Sequence, residues 1–146
     1  MLVGQLQGTR GQLATISVEA PLIEAAKLLH GGQISLVIVC NLDGSMAGII
    51  TKTDVVRQIS VCQGTSCTTR ASSVMTREVT FCHPDILLTD AWSIMKERGL
   101  KHLPIADDDS RPIGVLNARQ AVQALLNEVE NEEDLLRDYV GGVGYR

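Results

Sequence analysis

The chain has 146 residues, with 13 Lys+Arg against 17 Asp+Glu for a net charge of −4, and 45% of it is hydrophobic. That balance fits one compact domain or two small halves and excludes a disordered chain. No apolar run approaches the roughly 20 residues of a membrane helix, and only Phe81, Trp92, Tyr139 and Tyr145 are aromatic, so neither a membrane span nor a stacking groove for nucleic acid is expected.

In chain order, the opening MLVGQLQGTR has no cationic start, apolar stretch and cleavage site in succession, which predicts no secretory leader and a cytoplasmic address. Residues 13–17 read as a short strand. Leu22, Ala25, Ala26, Leu28 and Leu29 recur at helical spacing up to His30, and Gly31-Gly32 stops that helix. Residues 36–40 form a continuous β-branched run, 41–44 a turn and 48–51 a second strand, so the pair predicts an antiparallel hairpin. A helix follows from Thr53. Residues 62–69 are polar turn formers and read as a linker.

The order then repeats. Residue n matches n+66 without a gap from 13–60 against 79–126, with Leu22 and Leu88, Ala25 and Ala91, Asp43 and Asp109, Gly48 and Gly114, and Val56 and Val122 identical. The second copy therefore predicts strand 79–82, helix 90–98 with Trp92 on it, strands 103–106 and 113–116, and a helix from Ala118. Each copy is too small to fold comfortably alone. The expected architecture is mixed α/β, two pseudo-symmetric β-α-β-β-α repeats packed as one module, with repeat 1 at 10–60, a linker at 61–73, repeat 2 at 74–127 and a C-terminal helix extension and tail at 128–146. Val122, Leu125, Leu126, Val129, Leu136, Tyr139 and Val140 outline an apolar stripe interrupted by the acidic run 128–134, and the glycine-rich 141–144 is expected to fray.

The most informative stretch is Gly48-Ile49-Ile50-Thr51-Lys52-Thr53-Asp54, where a buried strand runs into a helix start. Such a junction offers free backbone N–H groups and the positive end of the helix dipole to a phosphate. Thr51 adds a hydroxyl, and Asp54 has a carboxylate for two ribose hydroxyls. The same Thr-x-x-Asp pattern also serves as a capping box. Both readings stand on the sequence alone.

This motif, with Val74-Met75-Thr76-Arg77, Val79-Thr80, His83-Pro84-Asp85 and Lys101-His102-Leu103-Pro104-Ile105 at repeat spacing, resembles the tandem cystathionine β-synthase (CBS) domain pair, or Bateman module. The resemblance covers about residues 10–126, and the chain's ending looks like that of small stand-alone bacterial members. It implies an adenosyl ligand (AMP, ADP, ATP, NAD or S-adenosylmethionine) held between the two copies, no required cofactor, and regulation of a partner rather than catalysis. By position, Asp54 would hold the ribose and Thr51, in its motif with Thr53, a phosphate. Val79 and Thr80 would meet the adenine edge beside Thr76 and Glu78. Lys101 would face the phosphates, and Arg57 stands one turn from Asp54, either reaching the same anion or simply solvated. A homodimer of modules is implied as well. In the second copy Asn117 and Gln120 replace Thr51 and Asp54, so a second cleft with Leu13, Ala14 and His102 lacks the carboxylate and is expected to be weaker.

Two other classes compete with a ligand sensor. One is an assembly subunit whose ligand sites have decayed. The other is an enzyme, thiol-redox or nucleotide-converting, for which Cys62 and Cys67 are the only pair and no Ser, His or Cys has a convincing catalytic partner. Cys62, Cys67, Cys82 and His83 do not have a usual zinc spacing, and Asp107-Asp108-Asp109 falls on a hairpin turn, where acidic residues favour the turn itself. No metal or catalytic residue is expected.

Overall fold

The computed structural model describes residues 1–61, 64 and 68–143, the side chains of 134, 135 and 137–143 excepted. In the first copy, strand β1 (Thr15–Ser17) leads into helix α1 (Leu22–His30), which buries Leu22, Ala25 and Leu29 at helical spacing. The hairpin of β2 (Leu36–Cys40) and β3 (Met46–Thr51) follows, and β3 runs directly into α2 (Lys52–Val61). The sheet order is β1-β2-β3, with β1 parallel and β3 antiparallel to β2. A four-residue helix α3 (Ala71–Val74) crosses the expected boundary at 73/74 between the linker and the second repeat.

In the second copy α4 (Leu88–Arg98) ends on Gly99 at φ 65°, the left-handed cap that glycine adopts without strain. Strand β4 (His102–Ala106) pairs antiparallel with β5 (Pro112–Asn117). The strand expected over 79–82 does not form. All that remains is a single bridge from Cys82 to Ile105, and the cause is Pro104. In the first copy Ile38 donates its N–H to the Ala14 carbonyl at 2.8 Å. Pro104 stands at the same register position and has no N–H to give. Helix α5 (Ala118–Val143) is continuous for 26 residues, about 39 Å at helical rise. Gly141 to Val143, expected to fray, stand within it, and Gly144 lies outside the described residues.

The segment ahead of each copy packs on the other copy. Val3 N donates to Ile86 O at 2.9 Å, Gly4 N to Pro84 O at 2.7 Å and Leu88 N to Met1 O at 2.9 Å. The equivalent bonds in the first copy come from the segment before the second: Ala71 N to Ala20 O at 2.8 Å, Ser72 N to Val18 O at 3.2 Å and Leu22 N to Thr69 O at 2.7 Å. The cores follow the same exchange. Val3 is buried with Cys82, Leu88, Ala91, Met95, Leu103 and Leu116, whereas Ala71 and Met75 are buried with Leu22, Ala25, Leu29, Val37 and Ile50. A third cluster of Leu36, Ile38 and Val115, flanked by Leu13 and Ile49, joins the two sheets.

Each arm crosses a glycine that the repeat duplicates. A Cβ on Gly48 would meet the Thr76 carbonyl oxygen and the Met75 sulfur at 2.7 Å, whereas one on Gly114 would meet the Thr9 hydroxyl oxygen at 3.1 Å and its carbonyl oxygen at 3.2 Å. Gly48→Ala is expected to cost about 2–3 kcal/mol, because backbone must move. Gly114→Ala is expected to cost less than half of that. Urea titration of both variants measures the difference, and equal losses would contradict the clash argument.

Candidate functional site

Asp54 is the third residue of α2 and only 5% exposed. Its Oδ2 accepts the Thr51 backbone N–H at 2.9 Å and the Thr51 hydroxyl at 3.2 Å. Its Oδ1 accepts Arg57 Nη1 at 3.2 Å and the Thr76 hydroxyl at 3.3 Å. The bond from the Thr51 N–H is half of a capping box, so the carboxylate does cap α2. Its second oxygen reaches the arm that carries α3, a link that capping does not require. Arg57 pairs with Asp54 in place of a free anion. Thr76 is fixed in turn by a two-way backbone exchange with Ile49, at 3.0 and 2.8 Å.

In front of this helix start lies a cleft of about 460 Å³ between the copies. Thr51, Lys52 and Thr53 line it from the first copy, and Leu100, Lys101 and His102 from the second. Thr51, Thr53 and Lys101 are thus brought together as the sequence reading grouped them, and His102, grouped by sequence with the other cleft, lines this one. Burial, with Lys101 beside it, holds the His102 imidazole below its ordinary pKa. No Asp or Glu lines the cavity. Lys52, inside the motif at 48–54, joins Thr51, Thr53 and Lys101 in the wall although the motif gives it no role.

Glu78, Val79 and Thr80 sit outside the cavity wall. Glu78 is exposed, Val79 and Thr80 are half-buried, and the Thr80 hydroxyl accepts Arg98 Nη1 at 3.0 Å. The Thr80 carbonyl stands in register with that of Ala14. Pro104 leaves it without the strand hydrogen bond that Ile38 gives Ala14. Among the described residues no backbone N–H takes the place of that bond to the Thr80 carbonyl.

The second helix start repeats the geometry with weaker chemistry. Asn117 N donates to Gln120 Oε1 at 3.3 Å, the amide copying the cap made by Asp54. Asn117 Oδ1 accepts Arg119 N at 2.7 Å, and Gln120 Nε2 donates to Gly8 O at 3.4 Å. Ala14 is buried with its carbonyl already engaged by Ile38, and Leu13 packs into the cluster between the sheets. The register equivalents of Lys52 and Lys101 are Ala118 in the second copy and Ser35 in the first.

The remaining candidates are placed as follows. Cys82 is buried and its thiol is pushed up to about 11 by desolvation. Cys40, half-buried, is raised for the same reason. Cys62 and Cys67 lie outside the described residues. Asp107 Oδ1 accepts the N–H groups of Asp109 and Arg111 at 3.0 and 2.9 Å, a turn-forming role. Among the described residues no group of three His, Cys, Asp or Glu side chains converges as metal ligands would, and no helix is long and apolar enough to cross a membrane.

A β-α-β-β-α unit and a second copy that lacks the first strand, each completed by the other's arm, with a cleft between them at a helix start, define a paired-repeat α/β module. The chain belongs to the CBS domain family, whose family model matches residues 3–61 and 71–127. Among its relatives, the CBS domain-containing protein YhcV of Bacillus subtilis is 29% identical over 117 residues, 80% of this chain and 82% of that protein. Two solved structures share the fold. CBSX2 in complex with AMP superposes with a TM-score of 0.72 at 20% identity, covering 86% of this chain and 96% of that one. The CBS domain pair of protein MJ0100 in complex with 5′-methylthioadenosine and S-adenosyl-L-methionine gives 0.71 at 22% identity, covering 88% and 98%.

Proposed function

We propose that the protein is a regulatory, non-catalytic module that binds an adenosyl nucleotide in the cleft between its two copies and passes occupancy to a partner protein in the cytoplasm. The observation that carries this is the cleft itself, which joins Thr51, Lys52 and Thr53 at the helix start to Lys101 of the other copy, with Asp54 hydrogen-bonded to Thr51 beside it. The phosphate end lies at Thr51, Thr53 and Lys101. The ribose takes Asp54, displacing Arg57 and the Thr76 hydroxyl, and the adenine edge meets Val79 and the open carbonyl of Thr80, with Glu78 beside it. Neighbours of the same fold hold AMP in one case and S-adenosyl-L-methionine with 5′-methylthioadenosine in another. Because Thr76 belongs to the arm that carries α3, release of its bond to Asp54 gives occupancy a path to the module's own packing. The second cleft, at Leu13, Ala14, Asn117 and Gln120, binds more weakly or not at all.

A thermal-shift panel tests the reading. Adenosyl compounds at a thousand times their dissociation constant should add about 4 kcal/mol and raise the melting temperature by several degrees, ahead of guanosyl and pyrimidine analogues. Flat curves across the whole adenosyl series would leave the assembly-subunit reading in its place.

The module is also proposed to pair as a homodimer through its helices. Val56 and Ile59 on α2 and Val122, Leu126, Val129 and Leu136 on α5 are all exposed, an apolar surface that one module leaves uncovered. Val140 of the same stripe lies outside the described side chains. Sedimentation at micromolar concentration should give the dimer mass, and a monomer would show that the helices need no second copy.

A further inference from the structure

The cleft carries a charge pattern that neither capping nor folding requires. Lys52 comes from the first copy and Lys101 from the second, and both line the same cavity, which has no acidic residue in its wall. Both are exposed, and neither makes an ion pair among the described residues. The repeat register places Ala118 and Ser35 at the corresponding positions of the other copy, so neither lysine is a feature that the fold demands at that point. Two ammonium groups from opposite copies, at the positive end of a ten-residue helix, make a cavity of uncompensated positive charge.

We propose that this cleft selects its adenosyl ligand by the charge of the tail, taking nucleotide di- and triphosphates ahead of the monophosphate and disfavouring S-adenosylmethionine, whose tail is net positive. The proposal rests on the adenosyl reading of the cleft and adds the ligand class to it. Each lysine makes a charge-assisted contact to a phosphate oxygen, and removing one such contact costs about tenfold in affinity. The nucleoside portion is bound elsewhere, by Asp54 and Thr80, so adenosine itself should be indifferent to both lysines.

The test is calorimetric titration of the full chain, with EDTA present, using ATP, ADP, AMP, adenosine, S-adenosylmethionine and inorganic tripolyphosphate. Lys52→Ala, Lys101→Ala and the double variant are compared with Lys27→Ala on α1, away from the cleft. ATP and ADP should bind about a hundredfold tighter than adenosine. Each cleft lysine removed should weaken ATP about tenfold and leave adenosine within about twofold, and tripolyphosphate should show the same dependence on the lysines. Raising salt should compress the series. The proposal is overturned if ATP and adenosine bind alike, if S-adenosylmethionine matches ATP, or if the variants hold ATP as the parent does. Adenosine binding with no effect of the tail would leave the adenosyl reading standing without this proposal. Lysine-dependent binding of tripolyphosphate, with no adenosyl compound binding better, would keep the charge selection and remove the adenosyl reading. Binding of none of the probes would remove both.

Discussion

Asp54→Ala is expected to weaken adenosyl-nucleotide binding roughly tenfold to a hundredfold, about 1.5–3 kcal/mol. A carboxylate accepts two ribose hydroxyls with charge assistance, and no other group at this helix start can replace it. The expected loss comes with a cost in stability, because both oxygens are already engaged in the ligand-free protein. Oδ2 satisfies the Thr51 backbone N–H and hydroxyl, and Oδ1 satisfies Arg57 and Thr76. Truncation leaves these donors short of a partner at a half-buried site, which should cost about 1–3 kcal/mol of fold stability. Asp54→Asn separates the two effects. It keeps the shape and one acceptor, so it should recover most of the stability and little of the affinity. Gln120→Ala should change binding little, since that amide serves the second helix start and the arm at Gly8. Calorimetric titration with circular dichroism on all three variants is the measurement. Parent-like binding by Asp54→Ala together with loss in Gln120→Ala would place the working site in the other copy, with Asp54 acting as a cap alone.

The repeat was legible because each helix and hairpin carries its own local pattern. Leu22, Ala25 and Leu29 mark α1 by period, and Gly31-Gly32 mark its end. The site residues on the helix start were legible for the same reason: Thr51 to Asp54 is contiguous in sequence. What escaped was everything that depends on which copy an arm joins. The register of 66 stops at Leu13, whereas the hydrogen bonds of Val3 and Ala71 show the correspondence continuing outward with a shifted spacing. An exchange of arms leaves no periodic mark, because the arm packs equally well in pattern on its own copy or on the other. The loss of the strand over 79–82 did carry a sequence mark. Pro104 falls on a strand position whose N–H the first copy uses, so one proline decides between a three-stranded and a two-stranded sheet. His102 lines the cleft of Thr51 and Lys101 rather than the one grouped with Leu13 and Ala14. Lys101 and His102 are adjacent, and the turn from Gly99 brings both to one cavity rather than alternating them across a strand.

Val3→Asp is expected to destabilise the second copy by roughly 3–5 kcal/mol, a large part of the total stability of a domain of this size. Val3 is fully buried among residues that lie some 80 to 120 positions further along the chain, Cys82, Leu88, Leu103 and Leu116 among them. A carboxylate there has no cation among its cluster neighbours to pair with and must either stay charged without compensation or take up a proton. Ala71→Asp makes the reciprocal test, since Ala71 is fully buried against Leu22, Ala25 and Ile50 of the first copy. The diagnostic feature is the crossing of the effects. Hydrogen exchange should show Val3→Asp stripping protection from α4, β4 and β5, and Ala71→Asp stripping it from α1, β2 and β3. If each substitution instead loosens the copy that follows it in sequence, the arms are not exchanged in solution. The crossing also bears on ligand binding. Ala71 lies on the same arm as Thr76, which holds Asp54, whereas Val3 lies on the arm that reaches Gln120 through Gly8. Ala71→Asp should therefore impair the first cleft directly, while Val3→Asp impairs it only through Lys101 and His102 on the cleft's other wall.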